Sequence, residues 1–163
     1  MSENLEMAVA QCRKEEELLR FPKFSNEDAL ALGLKIKEVA ESWGVGVAID
    51  VEVNGTQVFH YNMPGSNKRH CMWIRRKHNM VQTSEISTYH AGKLLALLGK
   101  DVEKDWKLNA NDYAILGGGF PIHVIGTGVI GSVACSALPH EDDHRLLLTA
   151  LCSVLGVDME SLK

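Results

Sequence analysis

"VGVAIDVEVNGTQVFHYN", residues 45–62, has the pattern of a β-hairpin. Through its first half, valine and isoleucine alternate with smaller or polar residues, which is the pattern of a strand with one buried face. Asn54-Gly55 follows, the strongest short-range signal of a hairpin turn. Thr56 to Asn62 is therefore predicted to return as a second strand, and a two-residue turn would place Asp50 opposite Phe59.

Helical patterns lie on both sides of this hairpin, and further strands follow it. The predicted helices cover residues 3–20, Ser25 to Gly44, 66–80, 85–98 and Pro139 to Gly156, and the further strands lie near 112–116, 120–125 and 129–135. Hairpin-type connections between the strands predict an α+β fold, with a largely antiparallel five-stranded sheet flanked by helices. The chain is expected to form one domain, 1–163, in which residues 1–24 are an N-terminal helical extension.

Composition and charge narrow the function classes. Apolar residues make up 45% of the chain and charged residues 23%, which is typical of a soluble globular protein. The formal net charge of −4 argues against a nucleic-acid partner, and no apolar run approaches the roughly 20 residues of a membrane span. The amino-terminal residues lack a signal-peptide pattern, and the four cysteines include no C-x-x-C pair. We therefore expect a cytoplasmic protein with reduced thiols that contacts neither nucleic acid nor membrane.

Two short motifs suggest chemistry, but each lacks its structural context. GTGVIG at 126–131 has the spacing of a dinucleotide-binding loop, yet a strand pattern follows it, so it is predicted to be a hairpin turn. HEDDH at 140–144 has the spacing of a zinc-protease helix, with His140 and His144 as ligands and Glu141 as the base. The extension that supplies a third histidine in one class of zinc protease is absent. We predict no metal site and keep a zinc hydrolase as one alternative.

The least expected feature is a basic stretch without acidic residues. No Asp or Glu occurs between Glu52 and Glu85, whereas the positive side chains that fall there are Lys68, Arg69, Arg75, Arg76 and Lys77. Such a stretch can be a solvated helix face, a surface that pairs with acids of another subunit, or a wall that faces an anionic ligand. Trp73 lies among these charges and is placed to stack on a flat ligand. Because adjacent positions of a helix lie about 100° apart, only one of Arg75 and Arg76 is expected to face a pocket.

Three consecutive glycines stand at 117–119, directly before Phe120 and Pro121. Glycines lose much backbone entropy on folding, so such a run indicates a geometric need. We expect them to bend one strand into the next and to let a ligand or a neighbouring backbone approach closely, with Pro121 stiffening the exit from the bend.

Taken in order, four pieces of the sequence resemble the heme-degrading-domain superfamily, which includes GlcG-like proteins and secreted heme-binding proteins. The pieces are Met63-Pro64-Gly65-Ser66, Trp73 to Lys77, Ser87-Thr88-Tyr89, and Gly117 to Ile122 leading through Val129-Ile130-Gly131 to the last helix. The resemblance covers most of the chain from about Asn26 onward and is closest to the cytosolic branch. It implies a profilin-like fold, assembly into dimers or larger rings, and a pocket where the glycine turn meets the central helices.

On this resemblance, the candidate ligand-binding residues are Trp73, Arg75, Arg76, Tyr89, His90, Gly117, Gly118, Gly119 and Pro121. The predicted function is that of a cytosolic, homo-oligomeric protein that binds a small anionic or planar ligand, for which heme is one candidate cofactor. Heme degradation follows from the resemblance alone, and the residues single out no catalytic set, so no enzyme activity is predicted. The alternative is an interaction module that docks a partner protein through its basic stretch or its acidic last helix.

Overall fold

The structure, a computed structural model, describes residues 2–163 as helices packed on both faces of one sheet. The elements in chain order are α1 (Ser2–Leu18), α2 (Asn26–Ser42), β1 (Ala48–Val53), β2 (Thr56–Asn62), α3 (Lys68–Ser84), α4 (Thr88–Leu98), β3 (Gly119–Val124), β4 (Gly128–Ser136), α5 (His140–Leu155) and a short 3-10 helix (Met159–Leu162). None of the helices in this described range is long and apolar enough to cross a membrane.

The sheet has the strand order β2-β1-β4-β3, and every neighbouring pair is antiparallel. The α+β fold with an antiparallel sheet is confirmed, but the prediction of five strands is wrong, because residues 112–116 form no strand. Their apolar side chains pack instead beneath α3 and α4, where Tyr113 and Ile115 join a cluster around Met80. The Ala114 N–H donates to the Arg76 carbonyl of α3 at 3.1 Å, which satisfies this backbone outside the sheet.

The hairpin of β1 and β2 forms at Asn54-Gly55, but its register differs from the prediction. Glu52 lies opposite Gln57, as a two-residue turn requires, whereas Asp50 lies opposite His60 rather than Phe59. The register shifts by one residue in β2, which is a β-bulge. The extra residue brings the His60 imidazole beside the Asp50 carboxylate.

The two faces of the sheet differ in polarity because side chains alternate along each strand. Ile49 and Val51 of β1 enter the main apolar core, which α2 and α5 cover. Asp50 and Glu52 point to the opposite face, beneath the basic helix α3, and both are buried. The basic stretch therefore meets acids of its own chain.

Helix α2 begins and helix α5 ends at the capping residues that the sequence predicts. Ser25 and Asp28 form the predicted capping box at the start of α2. Gly156 ends α5 with a φ of +68°, also as predicted. GTGVIG forms the β3–β4 hairpin turn and the start of β4, as the sequence indicates.

Helix α1 packs against α4, and two carboxylate–histidine contacts hold it in place. The Glu15 carboxylate lies 2.8 Å from His144 Nε2 of α5, and the Glu16 carboxylate lies 2.9 Å from His90 Nδ1 of α4. These contacts join the amino-terminal helix to α4 and α5.

Candidate ligand-binding site

A cleft of about 320 Å³ opens where α3, the end of β4 and the start of α5 meet. Its volume lies at the lower end of the range of small-molecule pockets, roughly 300–1,000 Å³. The residues that line it are Arg69, His70, Trp73, Lys77, Leu116, Ser136, Ala137, Leu138, His140 and Asp143. The glycine run at 117–119 lies directly against this cleft, because it contacts Lys77, His140 and Asp143.

The floor of the cleft carries a buried ion pair. Lys77 is 2% exposed, and its Nζ donates to the Cys135 carbonyl at 2.8 Å and to Asp143 Oδ2 at 3.1 Å. Burial raises the pKa of the Asp143 carboxyl, and attraction to the Lys77 ammonium only partly offsets that rise. Within residues 2–163 these two acceptors use two of the three N–H donors of the ammonium group, so the third can serve a ligand.

The glycines allow β3 to start close beneath the two helices. Gly118 has a φ of +117°, and a β-carbon there would lie 2.5 Å from Lys77 Nζ. The Gly117 N–H donates to His140 Nδ1 at 3.1 Å, and the Gly119 N–H donates to Thr88 Oγ1 at 3.0 Å. Two of the three backbone N–H groups of the run thus have side-chain acceptors, and no side chain of the run lies between its backbone and the ammonium group.

The rim of the cleft is aromatic and basic. The guanidinium of Arg76 lies 3.9 Å from the centre of the Trp73 ring and covers one face, so the remainder of the ring lines the cleft. Arg69 is exposed and has no carboxylate partner in the part of the chain that the structure describes. His140 completes the rim from the first turn of α5.

Of the two arginines that the sequence proposed, neither lines the cleft. Arg75 turns to the sheet, where its two terminal nitrogens donate to Glu52 at 2.6 and 3.1 Å. Arg76 stacks on Trp73 and donates to the Ala110 carbonyl at 2.7 Å. Neither arginine therefore faces this cleft, because in-chain partners hold both side chains, and their contact with a ligand stays a prediction.

The remaining predicted residues divide between the cleft and its surroundings. Trp73 and the three glycines lie at the cleft. Tyr89 stacks on His144 with ring centres 4.7 Å apart and faces a separate hollow. His90 is bonded to Glu16, and Pro121 is buried within β3 opposite Ser132.

Sequence reasoning missed Lys77 as the residue at the floor. The available signal was spacing, since Arg69, Trp73 and Lys77 recur every four residues and share one face of α3. The sequence instead favoured Arg75 and Arg76, because they are adjacent positive residues in the basic stretch.

The H-E-x-x-H segment does not bring its histidines to one point. His140 contacts the Gly117 N–H through Nδ1 and Glu141 through Nε2, whereas His144 binds Glu15 of α1. Each imidazole thus has a different partner, which gives the zinc-hydrolase alternative no support from geometry.

A second polar cluster lies under the other face of α3. His78 Nε2 lies 2.8 Å from Asp50 Oδ1 and 3.8 Å from Glu52 Oε2, so the three groups are close enough to hold a metal ion. His78 Nδ1 also contacts Ser132 Oγ at 2.5 Å, and the Arg75 guanidinium forms an ion pair with the Glu52 carboxylate. Because hydrogen bonds already engage these atoms, we interpret the cluster as a buried network that joins α3 to the sheet.

The carboxyl groups of this network are held in the charged form. Burial raises the pKa of Asp50, but hydrogen bonds from His78, His60 and Gln57 outweigh it, so the net pKa is lowered. The pKa of Glu52 is lowered in the same way, because hydrogen bonds from Arg75 and Gln82 outweigh the effect of burial.

Together, the antiparallel α+β fold and the basic, aromatic cleft define a small single-sheet protein with a ligand-sized cleft at a glycine bend. A family model described as "Haem degrading protein HbpS-like" matches residues 24–152, and the chain belongs to this family. This confirms the resemblance that the sequence motifs indicated.

Full-length relatives and solved structures agree with this assignment. UPF0303 protein YE1367 of Yersinia enterocolitica is 41% identical over 160 residues, covering 98% of this chain and 95% of the relative. The crystal structure of Ybr137w protein superposes with a TM-score of 0.84 at 24% identity, covering 95% of this chain and 90% of that one. The crystal structure of a PduOC:heme complex gives a TM-score of 0.67 at 19% identity, covering 80% of this chain and 94% of that one. At these identities the two structures establish a shared fold, and the likeness to profilin stays a prediction.

Proposed function

We propose that this protein binds a small anionic or planar ligand in the cleft at the glycine bend, with heme as the first ligand to test. The observation that carries the proposal is the buried Lys77 ammonium at the floor beside Gly118, whose three N–H donors have two acceptors among residues 2–163, the Cys135 carbonyl and the Asp143 carboxylate. A ligand carboxylate that reached the third donor would form a charge-assisted hydrogen bond in a partly desolvated place.

The rim supports the same assignment. Trp73 offers apolar surface to a flat ring system, and Arg69 adds a second positive charge at the mouth. Heme combines a flat macrocycle, which suits the Trp73 ring, with two carboxylates, which suit the positive charges of Lys77 and Arg69. The volume of about 320 Å³ suits a small ligand or one edge of a macrocycle, with the rest outside the cleft.

Family membership and a heme-containing relative of the same fold support the choice of heme. The PduOC structure is that of a heme complex, and the family description names haem degradation. The proposal is limited to binding.

The test is a titration with hemin, followed by its absorbance, on wild type and on variants of the cleft. Lys77→Met is expected to weaken binding by roughly tenfold or more, since it removes a bond of about 1.5–3 kcal/mol. Trp73→Leu is expected to weaken binding through lost contact area. Arg13→Gln, an exposed arginine of α1, is the matched control and should leave the affinity unchanged.

Hemin dimethyl ester, which lacks the two free carboxylates, separates charge from shape. It should bind wild type and Lys77→Met about equally if the ammonium group recognises a carboxylate. Equal hemin affinity in wild type, Lys77→Met and Trp73→Leu would place the ligand elsewhere and contradict the proposal.

The protein is further proposed to be a cytoplasmic homo-oligomer, a dimer or a larger ring. Leu30 and Leu34 lie one turn apart on α2 and are exposed by 44% and 50%, and Tyr61 is exposed on the edge strand β2 beside that helix. Exposed apolar side chains next to an unpaired strand edge suit a second copy of the chain. The alternative is an interaction module that docks a partner protein through the basic stretch or the acidic last helix.

A further inference from the structure

Two histidines line the cleft at the glycine bend. His70 lies in the first turn of α3, and His140 is the first residue of α5. In proteins a heme iron is held by a lone pair of histidine, methionine, a cysteine thiolate or tyrosine. Among the residues that line this cleft in the described chain, only the two histidines belong to these four types. Whether the cleft can bind iron therefore depends on a free lone pair in one of the two rings.

His70 uses the lone pair of Nδ1 to cap its own helix. The Asn67 N–H donates to His70 Nδ1 at 3.0 Å, as part of the capping box of α3. A backbone N–H can only donate, so Nδ1 carries no proton, and the neutral ring keeps its proton on Nε2. Within residues 2–163 that Nε2–H has no hydrogen-bond acceptor, so His70 offers the cleft a donor.

His140 is held in the same tautomer. The Gly117 N–H donates to His140 Nδ1 at 3.1 Å, and His140 Nε2 lies 2.9 Å from Glu141 Oε1. Nδ1 is again the acceptor, so Nε2–H donates to the Glu141 carboxylate. While these hydrogen bonds are intact, neither histidine of the cleft has a lone pair for a metal ion.

The cleft therefore meets a ligand with N–H donors. At the floor, the Lys77 ammonium has three N–H donors and two acceptors among residues 2–163. At the rim, His70 adds its Nε2–H and Arg69 adds an exposed guanidinium. The first turn of α3 holds no acidic residue, and its amino end adds the positive end of the helix dipole. The oxygen atoms of an acid are the complement of these groups.

The donors are spread along one face of α3. His70 and Lys77 are seven residues apart, which is nearly two turns and roughly 10 Å along the helix axis. Trp73 lies between them on the same face, and its ring lines the cleft. Each donor thus suits a different oxygen group of one ligand, with a flat ring system between the two groups.

We propose that the cleft recognises a planar diacid through its two carboxylates, with Lys77 and the Nε2–H of His70 as the donors, and that a heme bound there receives no histidine ligand to its iron. Because it concerns the same cleft, this inference rests on the proposed function. Recognition is then independent of the metal, and an iron-free porphyrin diacid is bound as well as hemin.

Protoporphyrin IX is the probe, because it has the macrocycle and both carboxylates of heme without the iron. Titrations are followed by the absorbance of the porphyrins at pH 8, where an ordinary imidazole is neutral. The Kd values of hemin and protoporphyrin IX should agree within about threefold, and each diacid should bind about tenfold or more tightly than its dimethyl ester.

The donor role of His70 is tested by two variants that both keep the helix cap. Glutamate and glutamine at this position can each accept from the Asn67 N–H. His70→Glu removes the donor and adds a negative charge, so it should weaken the binding of both porphyrins by about tenfold or more. His70→Gln has an amide N–H and should recover most of that loss, which separates donation from capping.

His123→Glu is the matched control, because it makes the same charge change on β3, at a residue that does not line the cleft. It should bind both porphyrins as wild type does. Urea denaturation should give His70→Glu and His70→Gln similar free energies of unfolding, since both retain the cap.

Resonance Raman spectra of the ferrous heme complex report iron–histidine bonds directly. We expect no iron–histidine stretching band that disappears in His70→Gln or in His140→Gln. Such a band, or wild-type porphyrin affinity in His70→Glu, would overturn the inference.

The two porphyrins also separate this inference from the proposed function. If hemin bound and Lys77→Met weakened it, but protoporphyrin IX bound more than about tenfold less tightly, the cleft would stand and recognition without iron would be wrong. If neither porphyrin bound, the proposed heme ligand and this inference would fail together.

Discussion

Replacing Gly118 with alanine tests whether the glycine bend is crowded around the floor of the cleft. The backbone at Gly118 has a φ of +117°, which alanine adopts only with strain of about 1–3 kcal/mol. A β-carbon there would also lie 2.5 Å from Lys77 Nζ, 2.7 Å from the Cys135 carbonyl oxygen and 3.0 Å from Asp143 Cβ. The carbonyl belongs to the central strand β4 and cannot move freely, so overpacking adds about 1–3 kcal/mol.

The expected loss in free energy of unfolding is therefore about 2–6 kcal/mol, measured by urea denaturation with circular dichroism. Gly128→Ala is the matched control, since Gly128 has a φ of +113° and a β-carbon there would contact nothing within 4 Å. That variant should lose only the backbone term of about 1–3 kcal/mol. If both variants lost the same amount, Gly118 would be a simple turn residue and the crowding at Lys77 would be refuted.

Three further predictions concern the polar face of the sheet and the assembly. Arg75→Ala should lower the free energy of unfolding by about 1–3 kcal/mol, because it removes the two guanidinium donors that bind the buried Glu52 carboxylate. Arg13→Ala is the control and should change the free energy of unfolding little. Equal losses in the two variants would contradict the stabilising role of the Arg75–Glu52 pair. The pKa values of Asp50 and Glu52 are lower in the folded than in the unfolded state. The two carboxylates therefore stabilise the fold fully above the unfolded pKa, which is near 4. This stabilisation is lost as the pH falls through the lower pKa values of the folded state. Urea denaturation from pH 6 to pH 2 should show this loss, and Asp50→Asn should flatten the curve; an equally steep curve in the variant would assign the acid sensitivity to other groups. Light scattering at micromolar concentration should return a multiple of 18.0 kDa, and a monomer mass would remove the proposed oligomer.

The sequence predicts most of the fold because its local signals agree with one another. The Asn-Gly turn, the Ser25 capping box and the terminal Gly156 all appear where the pattern placed them. The prediction of a strand at 112–116 is wrong because a short apolar run has the same pattern whether it is buried in a sheet or against a pair of helices. Propensity could not reveal that Ala114 bonds to α3.

The hairpin register shows a second limit. Turn type fixes the pairing next to Asn54-Gly55, but no local signal announces a bulge further along β2. That single extra residue brings His60 to Asp50. Such a contact depends on tertiary geometry, so it could not be derived from spacing.

The candidate site was predicted in part. Trp73 and the glycine run lie at the cleft, whereas Arg75 and Arg76 are engaged elsewhere. The sequence gives the number of positive side chains on a helix. The direction in which each of them points depends on where the carboxylates of other elements lie. Glu52 draws Arg75 away from the cleft, and Asp143 draws Lys77 to its floor.

A crystal structure of the protein grown with hemin would show whether heme binds in the cleft at the glycine bend, because anomalous scattering locates the iron. We expect an iron peak beside Trp73, with a propionate within hydrogen-bond distance of Lys77 Nζ beneath the glycine bend. An iron peak at any other surface of the molecule, or no peak at saturating hemin, would contradict the assignment of this cleft as the heme-binding site.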